Sequence, residues 1–285
     1  MNNALKVVPI RPDLWALDEA ERTVMWLLNG SKQILLLDTG FGLSDLHKVI
    51  TETCGDTNKP VYVINSHGHI DHNSGNNQFD VVHVDRFDEP DSHYEFSAED
   101  KERVIKQFFG PFISKGGEID NWNPGPASTI IPVSDGEIID LGSYHLRVIE
   151  SPGHSRGSIA LYEPDQGWLF TGDLMLTWEV WGQLEGSTAL SVYGDSINRL
   201  RSLQEHVTAV FPAHWQEDRN PLKIKSYELP PEVLSVYADG IQQILIGKYE
   251  LADYPFEMYK KNYKCAFFKI GGIAFDPNRM GRIER

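Results

Sequence analysis

Apolar positions along the first forty residues recur with the period of strands. "ALKVVPI", "LWALDE", "TVMWLLNG" and "KQILLLDTG" are short apolar runs punctuated by Pro-Asp, Asn-Gly and Thr-Gly. The period then changes. In "LSDLHKVITETCG" Leu46, Val49 and Ile50 have helical spacing, and Ser44 stands where an N-cap belongs. "PVYVINS" returns to the strand pattern. Strand, helix and strand in alternation predict an α/β chain.

A stretch at about 91–127 interrupts this rhythm. "FSAEDKERVIKQFFGPFI" opens with Ser97 followed three positions on by Asp100, the spacing of a capping box, and predicts a helix to about Phe109. "SKGGEIDNWNPGPAS" is rich in Gly and Pro and predicts a loop. From 129 to 173 strand patterns dominate: "TIIPVSDGEIIDL", "YHLRVIES", "GSIALYEP" and "GWLFTGD". Residues 195–206 predict a helix with Ile197, Leu200 and Leu203 on one side, and "VTAVFPAHW" a strand. Beyond residue 221 the character shifts. "PPEVLSVYADGIQQILIGKYE" begins with prolines, which suit a first helical turn, and "CAFFKIGGIAFDP" reads as a hairpin. The expected organisation is a catalytic domain over 1–220, carrying the 91–127 insertion, and a helix-plus-hairpin appendage over 221–285. The appendage would cover the site or a partner subunit, which leaves a homodimer open.

Composition narrows the partners. Of 285 residues, 41% are hydrophobic and 24% charged, as in ordinary globular domains. The net charge of −15 and the lack of a basic run speak against nucleic acid, whose phosphates are bound by clustered Lys and Arg. No apolar run approaches the ~18 residues of a membrane span. The first residues show no basic-then-apolar leader, so the expected location is cytoplasmic. Cys54 and Cys265 are expected to be reduced thiols.

The chemistry gathers in "SHGHIDHNSG". His67, His69, Asp71 and His72 fall within six positions, a density of metal-binding side chains that a solvated loop does not need. Three further candidates follow apolar runs: His154 after "LRVIESPG", Asp173 after "WLFTG" and His214 after "AVFPA". In α/β proteins, functional groups collect where strand ends run into loops. Imidazole and carboxylate donors suit zinc first, with iron or manganese as alternatives, and no thiolate points to a structural site. A catalytic zinc takes about three protein ligands plus water. Seven candidates are too many for one ion and suffice for two, each with three terminal ligands and one shared carboxylate.

"SHGHIDH", "SPGHSRGS", "FTGD" and "FPAHW", with "LLLDTG" upstream, together resemble the metallo-β-lactamase fold superfamily of hydrolases over roughly residues 20–215. The resemblance implies an αββα four-layer sandwich with metals at one edge. It implies that His67, His69 and His154 bind one ion, that Asp71, His72 and His214 bind the other, and that Asp173 bridges. Asp71 would also shuttle a proton. Asp38 matches the family's early aspartate and would fix the tautomer of a ligand histidine. Ser155 and Ser158 are taken as loop formers. The other histidines, His47, His83, His93, His145 and His206, are expected to be structural or surface groups.

The expected activity is hydrolysis of an ester, thioester, lactone or amide carbonyl of a small molecule by a dinuclear metal centre. The alternatives are a small-molecule phosphodiesterase and a di-iron redox protein. Trp178, Trp181 and Tyr193 after Asp173, and Phe108, Phe109, Phe112 and Trp122 of the insertion, are candidates to line a substrate pocket. Lactonase-type relatives carry a Tyr shortly after the bridging Asp, where this chain reads "DLMLTW"; glyoxalase II-type thioesterases share the ligand set but differ at "NSG".

Overall fold

The computed structural model describes residues 5–55, 58–109, 113, 119, 122–215, 227–256 and 261–281. Its contacts divide the chain into two compact units, Met1–Val133 with Ile138–His145, and Ser134–Glu137 with Leu146–Arg285.

The first unit contains β1 (Leu5–Arg11), β2 (Leu14–Glu19), β3 (Thr23–Asn29), β4 (Ile34–Leu37), α1 (Leu46–Cys54), β5 (Val61–Ile64), α2 (Ile70–Asn73), β6 (Val81–Asp85), α3 (Glu89–Ser92), α4 (Ala98–Val104), β7 (Thr129–Val133) and β8 (Ile138–Asp140). Its seven-stranded sheet runs in chain order from β1 to β7. The first four strands are antiparallel, joined by short turns. From β4 to β7 the pairing is parallel, and a parallel pair needs a crossover, which α1 supplies between β4 and β5. Leu46 and Ile50 of α1 enter the core with Leu17, Met25, Leu27, Leu36 and Val63. Ser44 does not cap this helix. Asp45 does, its Oδ1 accepting the Lys48 amide at 3.0 Å.

The insertion builds a second, aromatic core in the same unit. Ser97 and Asp100 form the expected capping box, and α4 runs on into a π-helical turn to Phe109. Phe109 meets Phe41 edge-on at 4.8 Å and Trp122 at 5.3 Å. The Trp122 indole N–H donates to the Phe41 carbonyl at 2.6 Å. Ile70, flanked by His69 and Asp71, packs against this cluster. Phe112 lies outside the described residues.

The second unit contains β9 (His145–Glu150), β10 (Ile159–Glu163), β11 (Trp168–Gly172), β12 (Glu179–Gly182), α5 (Leu190–Arg201), β13 (Ala209–Pro212), α6 (Glu232–Leu245), β14 (Ala252–Phe256), β15 (Lys261–Phe267) and β16 (Gly272–Phe275). One sheet has the neighbours β13-β11-β10-β9, with β11 and β13 parallel and the other pairs antiparallel. A second sheet has the order β12-β16-β15-β14. The expected C-terminal hairpin is β15 and β16, and it does not stand alone. β14 adds to one side, and β12, from the middle of the chain, pairs parallel with β16 on the other. α5 starts at Leu190, five residues before the expected 195, and packs on α6, where Gly194 allows close approach. A Cβ there would lie 3.0 Å from Ile241.

Candidate metal centre

In the first unit the histidine loop leaves β5 and is wired to the turn after β4. Asp38 is fully buried and has φ +68°, in the left-handed region that Asp tolerates better than most residues. Its amide donates to the Ile64 carbonyl at 2.8 Å, extending the parallel pairing of β4 and β5. Its Oδ1 accepts the Ser66 amide at 2.6 Å; its Oδ2 accepts the Ser66 hydroxyl at 2.8 Å and faces His72 Nδ1 at 3.0 Å. The His72 carbonyl accepts from the Thr39 amide and the Asn65 side chain. Gly75 has no side chain for a steric reason: a Cβ would lie 2.4 Å from the Thr39 carbonyl.

These bonds fix tautomers. The Ser66 hydroxyl has one proton, and the Asp38 carboxylate takes it. Ser66 Oγ, 3.0 Å from His67 Nδ1, must therefore accept from that nitrogen, which leaves His67 Nε2 as a lone pair. His72 Nδ1 donates to Asp38 in the same way, leaving its Nε2 bare. His67 Nε2 then faces His69 Nδ1 at 2.9 Å, and His72 Nε2 faces Asp71 Oδ2 at 3.5 Å. A bare imidazole nitrogen opposite a carboxylate oxygen is two acceptors in contact, an arrangement that a cation or an added proton satisfies.

Turn chemistry beside this loop is also carboxylate-driven. Glu19 is fully buried, and its two oxygens accept the amides of Phe41 and Leu43 at 2.7 and 2.9 Å. Burial pushes its pKa up to about 7 against the pull of those amides. Nothing in the sequence pattern singles out Glu19, whose role rests on a contact twenty-two residues away.

In the second unit each candidate comes from a different strand end. His154 sits in the loop after β9, where Ser155 and Ser158 bond to each other and to the loop backbone as loop formers. His154 Nδ1 lies 2.9 Å from the Trp181 carbonyl and so must be the protonated nitrogen, leaving Nε2 bare. Asp173 follows β11, and His214 follows β13. Asp173 Oδ2 lies 3.5 Å from His154 Nε2 and 3.0 Å from His214 Nε2. One carboxylate oxygen thus faces two imidazole nitrogens.

The aromatic candidates divide. Trp178 is half-buried with its ring 6.4 Å from that of His214. Trp181 instead turns to β14, bonding Tyr254 through its indole N–H at 3.1 Å and packing edge-on against Phe256. Tyr193 is buried against Gly153, where a Cβ would come within 2.4 Å of its ring, and its hydroxyl donates to the Leu174 carbonyl. It braces rather than lines a pocket. Phe109 and Trp122 are likewise buried in the insertion's own core. Four of the five remaining histidines have local partners for their rings: His83 stacks on Tyr62, His47 bonds the Gln78 carbonyl, and His145 and His93 meet Asp140 and Glu89.

The donor chemistry fits divalent ions in both units: imidazole and carboxylate groups, donor atoms 2.9 to 3.5 Å apart within each unit, and tautomers set by surrounding acceptors. The model of the metallo-beta-lactamase superfamily matches residues 19–214, and the chain belongs to that superfamily. It is a hydrolase with the metallo-β-lactamase fold, α/β with mixed sheets. Among solved structures it is similar to a metallo-beta-lactamase family protein of Thermus thermophilus, with TM-score 0.55 and 19% identity, covering 85% of this chain and 80% of that one. Among curated proteins it is 29% identical over 218 residues to the acyl-coenzyme A thioesterase MBLAC2 of Homo sapiens, spanning 70% of this chain and 75% of that one. It is 34% identical over 110 residues to a hydroxyacylglutathione hydrolase of Thermosynechococcus vestitus, spanning 39% of this chain and 42% of that one. No helix among the described residues is long and apolar enough to cross a membrane.

Proposed function

We propose that the protein hydrolyses small-molecule thioesters with a dinuclear metal centre, zinc being the first expectation for the ions. His67, His69 and His154 would hold one ion, Asp71, His72 and His214 the other, with Asp173 shared. The observation that carries the two-ion reading is Asp173 Oδ2, 3.5 Å from one ligand imidazole and 3.0 Å from another. The thioester reading is supported by the likeness to an acyl-coenzyme A thioesterase along 70% of the chain.

Bound divalent ions lower the pKa of water toward neutrality and stabilise negative charge as it develops on a carbonyl oxygen. The chain's own groups prepare for this. Asp38 and the Trp181 carbonyl keep Nδ1 of His72 and His154 protonated, so both rings present Nε2. The Asp71 side chain keeps 21% of its surface exposed, so it can pass a proton between the site and solvent. The half-buried Trp178 offers an apolar face beside His214. The sulfur leaving group of a thioester is a weak base and leaves as thiolate, so it makes little demand on a general acid.

The test is release of free thiol from acyl-coenzyme A and acylglutathione panels by protein with its metal content measured. Thiol release that disappears in Asp173→Ala is the expected result. Protein holding about two ions that turns over lactones or phosphodiesters but no thioester would overturn the substrate assignment.

A further inference from the structure

The family match ends at residue 214, yet the segment that grips His154 is itself held from beyond it. Three bonds tie this residue and its neighbour to a single segment. Its Nδ1 donates to the Trp181 carbonyl at 2.9 Å, its own carbonyl accepts the Ser187 hydroxyl at 2.7 Å, and the Gly153 carbonyl accepts the Thr188 amide at 2.9 Å. All three partners lie between residues 181 and 188, so the shape of that segment sets where the imidazole points.

Residues after 270 shape the segment. Trp181 lies on β12, paired parallel to β16 opposite Ala274. Past β12 the chain turns, and the guanidinium of Arg279 is inserted into the turn. Its Nη2 donates to the carbonyls of Gln183 and Leu184, both at 2.7 Å, and its Nη1 to those of Ser187 at 2.9 Å and Glu185 at 3.4 Å. Four carbonyls converging on one planar fork is a geometry that an ammonium group cannot reproduce. The backbone adds to the clamp. The carbonyls of Arg279 and Met280 accept the first amides of α5, Leu190 and Ser191, which have no side-chain cap. α5 in turn carries Tyr193 against Gly153.

We infer that Arg279 is a positioning residue for the metal ligand His154, and that the C-terminal sheet is a working part of the metal centre. This rests on the reading of His154 as a ligand. It acts through the 181–188 segment, by fixing the carbonyl that orients the imidazole. A group that orients a metal-bound histidine typically contributes about 10–100-fold to metal affinity.

The test compares wild type, Arg279→Ala, Arg279→Lys, Ser187→Ala and His154→Ala as full chains. Each is loaded with Co(II), titrated against a chelator and followed by its visible absorption, with a thermal melt to report folding. Arg279→Ala should bind the His154 ion about 10–100-fold more weakly, with an altered cobalt band, while the other ion is held as in wild type. Arg279→Lys should recover only part of the affinity, and Ser187→Ala should move it in the same direction. If Arg279→Ala does not fold, Arg279→Lys and Ser187→Ala decide on the same readouts. Folded Arg279 and Ser187 variants with wild-type affinity and spectrum would overturn the inference while leaving the ligand reading intact. If His154→Ala itself leaves both cobalt affinities unchanged, the ligand reading fails, and the inference with it.

Discussion

The two units supply donors in opposite ways. In the first, four donors fall within six residues of one loop, and the loop is wired by side chains to a turn some thirty residues away. In the second, three donors are spread over residues 154–214, each after its own strand, and the His154 imidazole is held by a backbone carbonyl. A local motif can be dense because its geometry is carried by α2 and the turns around it. A dispersed set can be accurate only if the sheet that spaces it is rigid. The supports of the first half's donors are therefore buried side chains such as Asp38, and those of the second half's are strands and turns.

The largest expected contrast comes from removing one carboxylate from each half. Asp173→Ala takes away the oxygen facing both His154 and His214, so both ions should be lost. Hydrolysis should fall by more than the ~10²–10⁴-fold that one positioned acid–base group contributes. Asp71→Ala should keep one ion. Elemental analysis beside kcat/KM measures both, and equal metal loss in the two variants would erase the distinction.

A smaller effect concerns pH and belongs to the first half alone. Glu19 has its pKa raised from 4.5 to about 7 by burial, so between those values the folded chain binds more protons than the unfolded one. Its contribution to stability therefore falls as pH rises from about 4.5 to 7, by on the order of 3 kcal/mol at 1.36 kcal/mol per unit. Denaturant midpoints across that range should show the fall, and Glu19→Gln should flatten it. An unchanged slope in the variant would assign the pH dependence elsewhere.

The smallest expected effect is Asp38→Asn. It keeps the left-handed backbone but puts an amide where His72 Nδ1 and Ser66 both need an acceptor. Metal affinity should drop by about 10–100-fold, read by chelator competition. An unaffected affinity would mean that His72 is oriented by the loop backbone and not by the carboxylate.

Much of this was legible in the chain itself, for reasons that differ by residue. The donors of "SHGHIDH" announce themselves by density, and the strands by short apolar runs between turn residues. Ser97 and Asp100 were readable because a capping box is a local signal. Asp45 displaced Ser44 as a cap because both have the right chemistry and only the backbone path decides. β12 was invisible: "EVWG" is four residues long, and its partner β16 lies some ninety residues downstream. Arg279 and Glu19 escaped for a related reason. Each acts on backbone amides or carbonyls, which every sequence has and no pattern marks.

Three imidazoles, of His67, His72 and His154, have their Nδ1 protons committed to Ser66, Asp38 and the Trp181 carbonyl. Such protons are shielded from water and exchange slowly, so each should appear as a separate, countable resonance. None of these rings can turn over without breaking its bond. A metal that prefers a different ring orientation is therefore resisted by the fold as well as by the donor atoms. Selection among ions of similar affinity then becomes a matter of which ions accept rings already facing in fixed directions.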